Sequence, residues 1–278
     1  MTDPDDCPSI LVKYGGNAMT DAAVRDRVLA EIGDLHDSGA RLVLVHGGGP
    51  AIAEILAEVG LETEFVGGHR RTDARTIGYV QMALRGRVNG DLVRRLCAVG
   101  QPAVGLSGKD AAMVRARRRY HEHPVEGAEA QRVDLGFVGD VDTVDTELLD
   151  LLLASHYLPV VAPLALGHDD EVYNVNADMF AAHLAAALGV ELFVAMTDVD
   201  GLRRVPDDPS TVIHHLPLGE IDALMGTSIQ GGMIPKVEAC AIAVTGGVPR
   251  ARIVDGTREG ALREALERTT DRGTEITP

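Results

Sequence analysis

The sequence predicts an α/β protein whose strands pair in parallel. Short apolar runs rich in β-branched residues alternate with segments of helical periodicity. Two of those runs, Ile10–Lys13 and Leu42–His46, end in glycines and lead straight into a helix. Strand–helix–strand units of this kind imply parallel pairing with right-handed crossovers. The chain's 278 residues, 45% of them hydrophobic, suffice for one large α/β domain or two modest lobes.

The first strand covers residues 9–14 and ends at Lys13 and the Gly15-Gly16 turn. Thr20 or Asp21 caps a helix with Val24, Val28, Ile32 and Leu35 on its apolar face, and Gly39 terminates it. The second strand enters His46-Gly-Gly-Gly-Pro50, after which Ile52, Ile55, Leu56 and Val59 recur at helical spacing. Glycines let a bound group approach the backbone. Free N–H groups of a first helical turn, aided by the helix dipole, attract an anion. A tight turn with nothing bound would use the same residues. A second glycine turn at 15–16, with a lysine at its strand's end, favours the anion site.

Next, Gly67-Gly68-His69-Arg70-Arg71 precedes Thr72 or Asp73 as the cap of a helix carrying Ile77, Val80 and Leu84. Arg70 and Arg71 read either as solvated charge or as a fork that grips a carboxylate. A second helix runs from Val88 to Val99 and stops at Gly100. The strand Ala103–Ser107 enters Gly108-Lys109-Asp110, which lacks the first glycine and the Ser or Thr of a Walker loop. Residues 113–140 alternate at both ends around a polar middle and predict a β-hairpin flap projecting from the sheet. Asp145 or Thr146 caps a helix through Leu148, Leu151 and Leu152, and Tyr157–Pro163 is a buried strand. The seam between two lobes falls near Leu166–Val172, which divides residues 1–170 from 171–278.

In the second part, Asn174, Asn176 and Asp178 surround the start of a helix through Ala181, Leu184 and Leu188, where such residues are often caps. Glu191–Thr197 is a strand running into Asp198-Val-Asp200-Gly201. The turn at Gly231-Gly232 opens a helix with Val237, Ala241 and Val244 inward. Lys236 lies in its first turns, where a cation opposes the dipole. A late strand at Arg250–Val254 and a helix through Leu262 and Leu266 complete the pattern.

Composition narrows function. A net charge of −16 argues against nucleic acid or an anionic membrane as partner. No run approaches the length of a membrane span, and the acidic N-terminus does not resemble a signal peptide. Cys7, Cys97 and Cys240 are isolated, which suits reduced thiols in a cytoplasmic protein. His121-Glu122-His123 and His214-His215 lie in polar, loop-like context and do not predict a metal site. Of 26 basic residues only Lys13, Lys109 and Lys236 are lysines, and all three lie beside or close to glycines. A GC-rich genome or adaptation to high salt would produce this bias. In either case the remaining lysines are candidates for tasks arginine cannot perform, such as a compact point charge on phosphate.

These stretches carry a likeness. Lys13-Tyr-Gly-Gly-Asn-Ala-Met19, His46-Gly-Gly-Gly-Pro50, Asn174-Val-Asn-Ala-Asp178, Thr197-Asp-Val-Asp-Gly201 and Gly231-Gly-Met-Ile-Pro-Lys-Val-Glu238 resemble, in order and over nearly the whole chain, the signatures of the amino-acid kinase family. The resemblance implies a three-layer α/β/α sandwich with an open, mainly parallel central sheet. It implies a first lobe that binds an acyl amino acid and mediates dimerisation, and a second that binds ATP. The implied reaction is transfer of phosphate from ATP to the side-chain carboxylate of N-acetyl-L-glutamate, within arginine synthesis, with Mg²⁺ carried on the ATP phosphates. Lys13, Lys236, Asp178, Gly16 and Gly48 would be catalytic. Gly48, Gly49, Arg70 and Asn174 would bind the acyl amino acid. Lys13, Gly15, Gly16, Asn176, Thr197, Asp198, Val199, Asp200, Gly201, Leu202, Gly231, Gly232, Met233 and Lys236 would bind ATP.

Two departures matter. Arg71 stands where the family usually has a small or apolar residue, so Arg70 and Arg71 both remain open as the substrate's partner. Lys13 comes early, leaving no room for the extra N-terminal helix that accompanies hexamers and arginine feedback. A homodimer insensitive to arginine is therefore expected. Rival readings are a kinase of carrier-bound aminoadipate or glutamate, and a non-catalytic ligand-binding regulator. The first would need a basic docking surface, and the second would be favoured by loss of Lys13, Lys236 or Asp178.

Overall fold

The computed structural model describes residues 8–19, 21–123, 131–267 and 271–278. The chain runs through β1 (Ser9–Tyr14), α1 (Ala22–Asp37), β2 (Arg41–His46), α2 (Gly49–Glu58), β3 (Phe65–Val66), β4 (His69–Arg70) and α3 (Thr76–Gln81). A π-helical segment, Met82–Asn89, joins α3 to α4 (Gly90–Ala98). Then come β5 (Ala103–Ser107), β6 (Val114–His123), β7 (Gln131–Val144), α5 (Glu147–Ala154), β8 (Leu158–Ala162), β9 (Leu164–Gly167) and β10 (Val172–Val175). The last part comprises α6 (Ala177–Leu188), β11 (Leu192–Thr197), β12 (His215–Pro217), α7 (Ile221–Leu224), α8 (Ile234–Thr245), β13 (Arg250–Asp255), α9 (Ala261–Leu266) and β14 (Thr274–Thr277).

Eight strands form the central sheet in the order β12-β14-β13-β11-β1-β2-β8-β5, parallel throughout except where β14 meets β13. Strand alternation sorts the core into two layers. Ile10, Val12 and Tyr14 of β1 join Leu42 and Leu44 of β2 and Leu192 and Val194 of β11 in the cluster with α1 and α4. Leu11, Val43, Val45, Phe193 and Ala195 join the opposite cluster with α6 and α8. Both clusters draw on strands from either side of residue 170, so the apolar core is continuous through the sheet.

Several local readings are corrected by the structure. The two helices expected over 72–84 and 88–99 are one rod, continuous through the π segment. An extra residue per turn shifts the apolar face there and breaks the 3.6 periodicity. The hairpin of β6 and β7 is not a free flap: it closes with β9 and β10 into a small four-stranded barrel. The stretch Leu166–Val172, where the sequence placed a seam, joins β9 to β10, two antiparallel strands of that barrel. The helix read through Leu148, Leu151 and Leu152 buries Leu149 and Leu153, while Leu151 is 64% exposed. Two short strands, β12 and β14, had no sequence signal. Asp21 caps α1 by accepting from the Val24 amide, and Thr20 lies outside the described residues. The barrel is tied down beside β4, since Thr72 donates to Leu135 O at 2.9 Å and accepts from Phe137 N at 2.6 Å.

Candidate active site

Alternation along β1 decides where Lys13 points. Leu11 faces α6, so Lys13, two residues on, faces the same layer at the strand's C-terminal end. There α6 begins with Asn176 as its cap, accepting from the amides of Asp178 and Met179. Asp178 in that first turn meets Lys13, with Nζ 2.9 Å from Oδ1. Lys13 is 5% and Asp178 6% exposed. A buried ion pair costs desolvation on both sides, so it needs a reason beyond stability.

The glycines shape the space around this pair. A Cβ on Gly15 would lie 2.7 Å from Lys13 Nζ, so the ammonium occupies the place of a side chain. A Cβ on Gly48 would lie 2.5 Å from Leu84 Cδ2. Gly16 has φ +71°, the left-handed region where a side chain is strained. Gly48 directly precedes α2 and presents backbone where anions bind helix starts, while Gly16 opens a short 3-10 turn, Gly16–Met19, ahead of α1.

These residues open onto a cavity of about 860 Å³. Lys13, Gly15, Gly16, Gly48, Gly49, Arg70, Asn174, Asn176 and Asp178 all line it. Arg70 is held toward it: Nη1 donates to Thr63 Oγ1 at 2.7 Å, and the guanidinium lies 4.8 Å over the Phe65 ring. Arg71 points away, paired with Glu64 at 2.9 Å in solvent. Of the two arginines, then, only Arg70 reaches the cavity. Arg70→Ala should raise KM for a carboxylate substrate by about 30-fold or more, the loss of a charge-assisted bidentate contact. Arg71→Ala should leave both constants within about twofold, as exposed pairs contribute little. Steady-state kinetics on the two variants checks this.

A second hollow, of about 290 Å³, lies over the C-terminal end of β11. Thr197, Asp198, Val199, Gly201, Leu202, Gly232, Met233 and Lys236 line it, as the sequence led one to expect. Asp200 and Gly231 do not. Asp200 pairs with Arg203 at 2.9 Å, and Gly231, φ +52°, makes the turn into α8. Lys236 Nζ folds back to donate to Gly232 O at 3.1 Å, which offsets its unfavourable place in the first turn of α8. Its pKa is lowered, chiefly by burial. Asp178 opposes the shift, Lys13 reinforces it, and Asp198 opposes it more weakly. Lys236 therefore feels both members of the buried pair; Lys13 lines the first hollow and Lys236 the second.

Sequence reasoning missed Phe65 beneath Arg70, and Arg203, Ser228 and Gln230 around the second hollow. Phe65 belongs to a two-residue strand too short to show periodicity. The third lysine, Lys109, is structural: it donates to Gln81 Oε1 at 2.8 Å and lines neither hollow. Among the described residues, no three His, Cys, Asp or Glu side chains converge on a point, and no helix is long and apolar enough to cross a membrane.

Comparison with known proteins finds relatives over nearly the whole chain. An acetylglutamate kinase of Symbiobacterium thermophilum is 43% identical over 266 residues, which cover 95% of this chain and 89% of that one. One from Frankia alni is 48% identical over 272 residues, or 97% of this chain and 77% of that one. Among solved structures, the N-acetylglutamate synthase of Neisseria gonorrhoeae, complexed with coenzyme A and N-acetyl-glutamate, superposes with a TM-score of 0.79 at 25% identity. That match spans 98% of this chain and 59% of the synthase. Residues 8–255 match the model of the amino acid kinase family. The chain belongs to the amino acid kinase family.

Proposed function

We propose that the protein transfers the γ-phosphoryl group of ATP to the side-chain carboxylate of N-acetyl-L-glutamate, giving ADP and N-acetyl-L-glutamyl 5-phosphate, the second step of arginine biosynthesis. The observation that carries this reading is the buried Lys13–Asp178 pair in the wall of the cavity that also holds Arg70, with Lys236 of the second hollow close enough to feel both its charges. Relatives named acetylglutamate kinase at 43% and 48% identity support the choice of substrate.

Arg70 and Asn174 grip the substrate's α-carboxylate and amide in the larger cavity, beside Gly49. The side-chain carboxylate then points between Gly16 and Gly48. An oxygen of that carboxylate attacks Pγ; the bond from Pγ to the bridging oxygen breaks, and its electron pair leaves on ADP. A carboxylate is already a nucleophile at neutral pH, so no base is required. Phosphoryl transfer needs positioning and charge neutralisation more than covalent help. Lys13 and Lys236 neutralise the equatorial oxygens from opposite sides, Gly16 and Gly48 donate backbone N–H groups, and Asp178 orients Lys13. Thr197 to Leu202 and Gly231 to Met233 hold the nucleotide, and Asn176 keeps the start of α6 in place near the phosphates.

The donor set suits a Mg²⁺ held by phosphate. Asp178, the buried carboxylate in the wall of the large cavity, is already paired with Lys13. Mg²⁺ keeps few protein ligands in such sites and neutralises phosphate charge when bound. Residues 1–170 form the acyl-amino-acid side and 171–278 the nucleotide side, with Asn174 reaching across. The protein works as a homodimer, for which the free edge of the sheet at β5 and Met82, 62% exposed nearby, offer a surface; mass in solution is the check.

A hydroxamate-trapping assay tests the reaction. N-acetylglutamate with ATP should yield the acyl hydroxamate, and free glutamate should not. Turnover of free glutamate alone, or of a carrier-linked substrate alone, would refute the assignment.

A further inference from the structure

Behind the Gly47-Gly48 turn lies a buried polar group that the reaction above leaves without a role. It consists of His46 at the end of β2, Asn89 at the end of the π segment and Arg85 one turn earlier. His46 and Asn89 are both fully buried. Alternation sends His46 to the α4 side of the sheet, opposite to Lys13. Asn89 Oδ1 accepts from Arg85 Nη1 at 2.9 Å, and Nδ2 donates to Val160 O at 2.8 Å. A guanidinium only donates and a carbonyl only accepts, so the amide has one possible orientation. Strand β5 is kept bare beside it: a Cβ on Gly105 would lie 2.3 Å from Asn89 Oδ1.

That orientation determines the histidine. The other Nδ2 proton meets His46 Nε2 at 3.1 Å, so Nε2 must be the acceptor. The ring proton is then on Nδ1, which donates to Gly47 O at 2.7 Å. Burial disfavours the imidazolium and pushes the pKa of His46 down to about 4; Gly47 O opposes this and the Arg85 charge adds to it. The imidazole is thus neutral and held in one tautomer.

Gly47 C=O and Gly48 N–H belong to one planar trans peptide and point in opposite directions. Two successive glycines have no side chains to define how that peptide turns. Gly47 N is held by Tyr14 O at 2.8 Å, which leaves the following peptide free to rotate. Holding its carbonyl toward the α4 layer aims the Gly48 N–H at the large cavity, which Gly48 lines.

We propose that His46, locked by Asn89, is a positioning residue for phosphoryl transfer, which it serves by turning the Gly47–Gly48 peptide so that the Gly48 N–H meets the moving phosphoryl oxygen. The proposal rests on the kinase reading given above. His46→Ala has no donor for Gly47 O. It should lower kcat by about 100-fold, the usual result of a displaced oxyanion donor, with both KM values within about threefold. His46→Asn, whose amide N–H can replace Nδ1–H, should recover most of that loss. If His46→Ala keeps kcat within about threefold, or if Asn rescues no better than Ala, the positioning role is refuted. Should the alanine variant not fold, NMR of the wild-type enzyme with ¹⁵N-labelled histidine decides. The His46 ring should stay neutral with its proton on Nδ1 from about pH 5 to 8. An Nε2–H tautomer, or protonation in the ordinary histidine range, would overturn the proposal. A wild-type enzyme with no acylglutamate turnover would overturn the kinase reading and this role with it. Normal wild-type turnover with unaffected His46 variants would overturn the role alone.

Discussion

Asp178→Ala should both destabilise and inactivate the protein. The Lys13 ammonium would be left in a site where it is 5% exposed, without its partner at 2.9 Å. Breaking a buried pair by removing one member costs about 3–5 kcal/mol. For a domain of this size that lowers Tm by roughly 10 °C. Turnover should fall by about 10³-fold, because the ammonium that meets the phosphoryl group loses its orientation. The double variant Lys13→Met/Asp178→Leu separates the two effects. Replacing both charges with apolar groups of similar shape is often neutral or stabilising. Tm should therefore return toward that of the wild type while turnover stays absent. Calorimetry and a coupled ADP assay read the two quantities. Recovery of turnover together with stability would mean that the pair serves the fold alone.

Lys236→Met should give the opposite combination, a loss of kcat of about 10²–10³-fold with stability unchanged. Lys236 sits at the edge of the second hollow and its only hydrogen bond recorded among the described residues is to Gly232 O. Burial lowers its pKa, which means that folding disfavours its charged form. At neutral pH that charge subtracts from stability, so its removal leaves Tm equal or slightly higher. The same shift has a kinetic sign. In the free enzyme Lys236 loses its proton at a lower pH than an ordinary lysine, so kcat/KM for ATP should fall on that alkaline limb. Bound phosphates restore the proton, so the limb in kcat should lie at higher pH. Lys236→Arg stays charged throughout and should abolish the limb while reducing the rate, since a planar fork does not replace a point charge. Identical limbs in kcat and kcat/KM would argue against this placement of Lys236.

The parts of this account that were legible in the sequence are those with local causes. Lys13 and Asp178 could each be placed on paper because each ends or begins an element at a recognisable signal, a strand into glycines and a helix start rich in capping residues; what joined them to one site was the family resemblance. The choice between Arg70 and Arg71 could not be made, because it depends on a two-residue strand and on Phe65 and Glu64 as the partners that turn the two side chains apart. Asp200 shared a motif with true lining residues, yet Arg203 three residues on draws it aside. The role of His46 was hidden for a different reason. Its partner is 43 residues away, on a π turn that disrupts the periodicity by which helices are read. The barrel was half visible: alternation marked β6 and β7, but β9 and β10 are four residues each and a lobe boundary was placed between them.

The central claim is that two ammonium groups, from β1 and α8, converge on the phosphoryl group in transit. A crystal structure with ADP, Mg²⁺, aluminium fluoride and N-acetylglutamate tests it most directly. Lys13 Nζ and Lys236 Nζ should each lie about 3 Å from a fluoride of the trapped group. Either nitrogen beyond about 6 Å, outside the reach of a charge on its neighbour, would contradict the account.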